Sequence, residues 1–289
     1  MTRTPVVLTI AGSDSGGGAG IQADLKAFAR CGVHGTSAIT AITAQNTIGV
    51  SEIAPVAPAT ILAQVRAVCA DIPPDAVKVG MIGTAEAARA VAAALDELDD
   101  GVPVVVDPVM IAESGARLLE SDAEQVLIEQ ILPRASVLTP NLPEARALLG
   151  RPPGAPGAEQ EVAEAQALAE ALLSIGARAV VVTGGHRARV VDLLVAPRAA
   201  GRPGDVFALE IEGERHPDGA AHGSGCTHSS LLAAHLALGL DLPDAAREAR
   251  TLAGEAVRDG LRDVGAGAGP VDVLGLARIR AARRDADAA

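Results

Sequence analysis

Three groups of residues in this 289-residue chain have the types and spacing of a reaction centre. The first is His222-Gly223-Ser224-Gly225-Cys226-Thr227-His228. A glycine-rich turn opening a helix presents successive backbone N–H groups, and the helix dipole adds to their pull on an anion. A cysteine placed there is expected to have a depressed pKa and to serve as base or nucleophile. The bland reading is a buried cysteine beside a glycine cap. A metal site built on His222, Cys226 and His228 lacks a fourth ligand. A hydrolase would need one of these histidines as base to Cys226, and neighbours on a tight turn rarely meet in that geometry. The second group is Asp107 with Asn141 and Glu144, hard oxygen donors suited to Mg²⁺ beside phosphates. They equally fit a helix capped by Asn141 with Glu144 in its first turn. The third is the run at 11–20, with Asp14 among five glycines between Gly12 and Gly20, which allows close backbone approach to a ligand. Its G-x-G-x-x-A match at 18–23 lacks the acidic partner of a dinucleotide fold, because no Asp or Glu lies between Asp24 and Glu52. A P-loop fails too, since Lys26 and Lys78 are followed by Ala and Val.

These groups recur at one end of an alternating pattern. Apolar runs at 6–10, 37–43, 77–79, 104–106, 137–139 and 179–182 read as strands covered on both faces. Between them, 21–30, 59–70, 85–98, 122–132 and 161–175 carry helical period. Alternation of this kind predicts a mostly parallel sheet with helices on both faces, an α/β fold whose ligand lies beyond the carboxyl ends of the strands. Runs at 190–195 and 206–211 predict an antiparallel edge, and helices resume over 227–240 and 244–261. The Pro/Gly stretch 151–160 reads as a surface loop, so 1–289 is expected as one domain, with 278–289 a frayed tail.

Composition excludes several functions. Net charge is −12, from 24 basic and 36 acidic side chains, which is wrong for a nucleic-acid binder. With two Phe and no Tyr or Trp there is no platform for base stacking, so a flat-ring ligand must be held between non-aromatic walls. No apolar stretch approaches the ~20 residues of a membrane span. Three widely spaced cysteines give no disulfide framework, and a reducing cytoplasm is the expected compartment.

Taken in order, the motifs AGSDSGGGAGIQADLK (11–26), SAITAITAQNT (37–47), DAVKVGM (75–81), VDPVM (106–110), TPNLPEA (139–145), TGGH (183–186), HGSGC (222–226) and GAGPVD (267–272) resemble the bacterial hydroxymethylpyrimidine/phosphomethylpyrimidine kinases, over nearly the whole chain. The resemblance implies a ribokinase-like three-layer α/β/α sandwich. It also implies ATP- and Mg²⁺-dependent phosphorylation of 4-amino-5-hydroxymethyl-2-methylpyrimidine and then of its monophosphate, in a cytoplasmic homodimer of thiamine biosynthesis. It places the pyrimidine against Gly12, Asp24, Gln45, Met81 and Val109, and the transferred phosphoryl group over Gly223, Ser224, Gly225 and Cys226. Asp107 and Glu144 would hold Mg²⁺. Asn141, Glu144, Thr183, Gly184, Gly185 and His186 would lie along the nucleotide. Three positions depart from the family pattern: Gly16 stands for a Ser and is expected to loosen the turn, Thr183 for a Lys that would meet phosphate, and Ser224 for a Thr. A pyridoxal kinase and a non-catalytic thiamine-sensing module are the rival readings.

Overall fold

The computed structural model describes residues 3–112, 115–152, 161–185, 190–198, 205–217 and 219–287. Its elements are β1 (Val6–Asp14), α1 (Gly20–Arg30), β2 (His34–Gln45), β3 (Val50–Pro55), α2 (Pro58–Asp71), β4 (Ala76–Val79), α3 (Ala85–Leu95), β5 (Val104–Val106), α4 (Ser121–Val126), β6 (Val137–Leu138), α5 (Leu142–Leu148), α6 (Glu161–Ser174), β7 (Val180–Val182), β8 (Val191–Pro197), β9 (Val206–Glu212), α7 (Ser224–Ala237), α8 (Leu242–Arg258) and α9 (Leu276–Asp287). One nine-stranded sheet runs in the order β3-β2-β1-β4-β5-β6-β7-β8-β9. The neighbours from β2 to β7 pair in parallel, and β3, β8 and β9 add antiparallel edges.

The central strands are apolar without alternation because both of their faces are buried. Along β1, Leu8 and Ile10 pack into a core shared with α2, α3, α4, α5 and α6, while Val7 packs on the other side with α1, α7 and α8. Three layers result, as expected. The antiparallel edge read from 190–195 and 206–211 is present as β8 and β9. The pattern missed β3, whose residues are mostly exposed and include Ser51 and Glu52, so no buried face marks it. It is joined to β2 by a turn closed by the Asn46 amide on the Gly49 carbonyl. The helix expected over 122–132 ends earlier: α4 passes into a π turn (Leu127–Ile131) and a 3₁₀ turn (Leu132–Arg134) with Pro133 inside it. The tail expected to fray forms α9, tied back by Arg278 to Asp259. Of the expected 151–160 loop, 153–160 lies outside the described residues.

Candidate active site

A cavity of about 460 Å³ opens at the carboxyl ends of the parallel strands, where Gly12, Met81, Asp107, Thr139 and Thr183 follow or end β1, β4, β5, β6 and β7. Its floor is the start of α7. Gly223 caps that helix in the left-handed region (φ 82°), and a Cβ there would collide with the Gly18 carbonyl oxygen. The expected row of free amides is shorter than it looked: Ser224 N–H is spent on the Ala221 carbonyl, leaving those of Gly225 and Cys226 without such an acceptor among the described residues.

Cys226 differs from the expectation most. Burial pushes its thiol up to about 12; Lys78 and the Gly20 N–H pull the other way, and the negative charges of Asp107 and Asp24 add to the rise. Helix-start position lowers a thiol pKa only where solvent or cations offset desolvation. The thiol is therefore neutral at pH 7. Neither neighbouring histidine is given to it: His222 Nε2 lies 3.2 Å from Asp14 Oδ2, and His228 Nε2 lies 3.0 Å from Asp192 Oδ2. That removes the paired base a cysteine hydrolase needs.

Asp24 is a second correction. It was expected on the pyrimidine, but its carboxylate is fully buried off the cavity wall. It accepts from Thr9 Oγ1 (2.6 Å), Ser230 Oγ (2.7 Å) and Lys78 Nζ (3.0 Å). Lys78 is itself completely buried; burial opposes its charge, yet Asp24 and then Cys226 and Asp107 hold its pKa above the usual lysine value. One turn of α7 thus reaches two aspartates, Ser230 to Asp24 and Ser229 to Asp107 (2.9 Å).

Asp107 and Glu144 both face the cavity. Glu144 and Asn141 form a capping box, with Glu144 N–H to Asn141 Oδ1 at 2.9 Å and Asn141 N–H to Glu144 Oε2 at 3.0 Å. Burial, and then the charge of Asp107, raises Glu144 to about 8. Burial likewise raises Asp107, against the pull of Lys78. The capping and the chemical reading therefore coincide at one helix start.

The remaining expectations divide cleanly. Gly12, Gln45, Met81 and Val109 line one end of the cavity; Gly12 passes so close to Met81 that a Cβ would lie 2.8 Å from its sulfur. Met81 and Val109 cluster with Ala41 and Leu118, giving the aliphatic and thioether wall that aromatic scarcity predicted. Thr183 and Gly185 line the other end, Gly184 donates its N–H to Asp192 (2.8 Å) behind the wall, and His186 lies outside the described residues. The turn at Gly16 is not loosened: its N–H donates to Asp14 Oδ1 (2.7 Å), and a Cβ would lie 3.1 Å from Asn46 Cα. Sequence reasoning missed Asp192, Arg250, Glu214 and Arg215, all on the Thr183 side. Asp192 had a signal, a lone carboxylate inside an apolar strand.

A family model described as phosphomethylpyrimidine kinase matches residues 14–272. The chain belongs to the phosphomethylpyrimidine kinase family. It is 43% identical over 279 residues to the hydroxymethylpyrimidine/phosphomethylpyrimidine kinase of Haemophilus influenzae, covering 96% of this chain and 100% of that one. It is 40% identical over 274 residues to the Bacillus subtilis protein of the same name, covering 94% and 95%. Among solved structures, the phosphomethylpyrimidine kinase of Clostridium difficile 630 superposes with a TM-score of 0.72 at 38% identity, covering 86% of this chain and 96% of that one. The ADP complex of Bacillus subtilis pyridoxal kinase superposes at 0.78 and 33% identity, covering 95% and 99%. The fold is ribokinase-like, and the enzyme is a phosphotransferase. Among the described residues of this kinase, no helix is long and apolar enough to cross a membrane.

Proposed function

We propose that this kinase phosphorylates 4-amino-5-hydroxymethyl-2-methylpyrimidine and then its monophosphate from ATP, the reactions that supply the pyrimidine half of thiamine. One observation carries the reading: the Gly225 and Cys226 amides, free among the described residues, open onto a cavity that has an aliphatic wall at one end and Arg215 and Arg250 at the other. Gln45 beside Thr43 (3.1 Å) offers the donor and acceptor edge that an aminopyrimidine needs, a task that no longer includes Asp24. Arg250, with a side chain 11% exposed, stands where phosphate charge must be met without a lysine at Thr183. The Asn141 side-chain oxygen is committed to its cap, which leaves the amide nitrogen for a phosphate oxygen.

In-line attack by the hydroxymethyl oxygen forms the new O–P bond as the bond to ADP breaks, and the anion hole meets the charge on the transferred group. In the first transfer Cys226 orients the attacking hydroxyl as a neutral thiol, and the hydroxyl proton passes to an oxygen of the transferred phosphoryl group and then to solvent; in the second transfer an oxygen of the monophosphate is the nucleophile. Asp107 and Glu144 suit Mg²⁺, because two carboxyl groups raised by burial, Glu144 further by the charge of Asp107 and Asp107 by that of Asp24, are relieved by a divalent cation. No cluster of three or more ligand side chains exists among the described residues, so the ion would keep waters and take phosphate oxygens. Its chemistry would be neutralisation of phosphate charge.

The three cysteines are free thiols, in keeping with a cytoplasmic enzyme. A homodimer would cover the β2–β3 edge, where Ile42 and Ile48 are 55% and 66% exposed. Sedimentation should then give twice the chain mass, and a monomer at all concentrations would refute it. A second reading, pyridoxal kinase, is favoured by the higher TM-scores of pyridoxal kinase structures. Mass spectrometry of the products separates the two. The pyrimidine reading requires its mono- and then diphosphate from ATP–Mg²⁺, and an unmodified pyrimidine would overturn it.

A further inference from the structure

The GAGPVD motif at 267–272 has no task in the chemistry above, and its position gives it one. The segment leaves α8, reaches the β2–β3 turn at Thr47 and returns to the core at Asp272. Its base is closed by Leu261 N–H on the Pro270 carbonyl (2.9 Å), and Asp272 accepts the Leu276 and Ala277 amides that open α9 (both 2.8 Å). At its tip Gly267 N–H donates to Thr47 Oγ1 (3.2 Å), and a Cβ on Gly267 would collide with the Thr47 carbonyl oxygen. Gly265, at φ 82°, packs so closely on the Thr47 side chain that a Cβ would overlap its hydroxyl. Only glycines admit this approach.

The contacts close a ring. From the strap, His222 N–H donates to the Gly269 carbonyl (3.2 Å) and Val271 N–H to the His222 carbonyl (3.1 Å). His222 meets Asp14, whose carboxylate gathers the amides of Gly16, Gly18 and Ala19 at 2.7–3.0 Å. Ser15 Oγ then donates to the Gln45 carbonyl (2.8 Å) and accepts the Gln45 N–H (2.9 Å), two residues from Thr47. The glycine turn thus holds the Gln45 backbone, and the strap holds the turn two residues on, at Thr47.

We propose that residues 261–271 are a positioning strap. Through Thr47 they fix the β2–β3 turn, and so the Gln45 amide, for the small acceptor substrate and not for the nucleotide. This rests on the pyrimidine-side reading of Gln45 given above. The strap tip is exposed over 262–268, so changes there leave the core intact.

The test uses Gly267→Ala, which forces strap and turn apart, and Thr47→Val, which removes only the acceptor oxygen. Hydrogen exchange of amides 44–50 should quicken at least tenfold in G267A and less in T47V, with melting temperatures near wild type. The pyrimidine KM should rise about tenfold in G267A, with the ATP KM within twofold and kcat within threefold. Unchanged exchange, an unmoved pyrimidine KM, or equal rises in both KM values would each overturn the strap. If the wild type shows no turnover of the pyrimidine, the substrate reading fails by itself, and the exchange measurement still decides whether the strap holds the turn.

Discussion

The two ends of the cavity are built differently. At the pyrimidine end the polar groups satisfy one another: Asp14 takes three amides and His222, Ser15 gives and takes with Gln45, and Thr43 bonds Ser13. Burial works against the charge of Asp14, but His222 and the Ala19 and Gly16 amides hold it below the usual carboxylate value. At the nucleotide end, Arg250 Nε and His228 Nδ1 are buried with no hydrogen-bond partner among the described residues, and Arg250 reaches Asp192 only at 3.8 Å. Unpaired buried polar groups are costly, and native proteins keep few of them. The difference teaches which end is ready before its ligand arrives. The end lined by Gln45 and Met81, proposed for the pyrimidine, is preorganised, whereas the end lined by Thr183 and Arg250, proposed for the nucleotide, keeps groups that a ligand would complete.

That contrast can be broken or sharpened by single substitutions. The largest effect belongs to the shared base beneath both ends. Lys78→Met removes the cation that faces the buried Asp24 carboxyl group, leaving it only the Thr9 and Ser230 hydroxyls, and should cost about 3–5 kcal/mol of unfolding free energy in denaturant titration. Restoring most of that with the double change Lys78→Met and Asp24→Asn would show that the pair, not the lysine stem, is responsible. Next, Cys226→Ala should lower kcat about a hundredfold, with the ATP KM little changed, through loss of hydroxyl alignment. Because the thiol is neutral at pH 7, the pH–rate profiles of C226A and wild type should have the same shape. Loss of an ionisation from the variant profile would make Cys226 a base after all.

Arg250→Met should raise the KM for ATP about 10–100-fold and leave the pyrimidine KM alone, since charged hydrogen bonds contribute about 1.5–3 kcal/mol. Gln45→Ala should do the reverse at smaller scale, raising the pyrimidine KM about fivefold to tenfold. Equal effects of either change on both substrates would erase the distinction between the ends. The smallest effect is Glu144→Gln, which keeps the capping box. With Glu144 raised to about 8, the folded protein holds that proton more tightly than the unfolded chain. Ligand-free stability therefore falls as pH rises from about 4.5, the ordinary carboxyl value, through about 8. E144Q should melt above wild type at pH 8 and no higher at pH 4.

Much of this was legible in the sequence. Apolar runs without alternation announced buried parallel strands, and the polar residues after each run marked the cavity end. Gly12, Met81, Val109, Asp107 and Glu144 could be placed by that rule alone. What escaped depends on distance through space. Asp24 looked like a ligand group because nothing in its neighbourhood shows Lys78, 54 positions away, buried against it. Cys226 looked acidic because a helix start is visible in sequence and desolvation is not. Asp192 and Arg250 meet only when β8 and α8 pack, and β3 carries no buried face to betray it. The glycines at 265 and 267 were visible as a motif, but their reason, the Thr47 backbone beside them, appears only in the fold.

The central claim is that the ready end of the cavity is shaped for a pyrimidine. Its most direct test is ADP release by the purified enzyme with ATP–Mg²⁺ and, in parallel, hydroxymethylpyrimidine, its monophosphate and pyridoxal. A kcat/KM higher for the two pyrimidines than for pyridoxal is the predicted result. A preference for pyridoxal, or ADP release with none of the three, would contradict it.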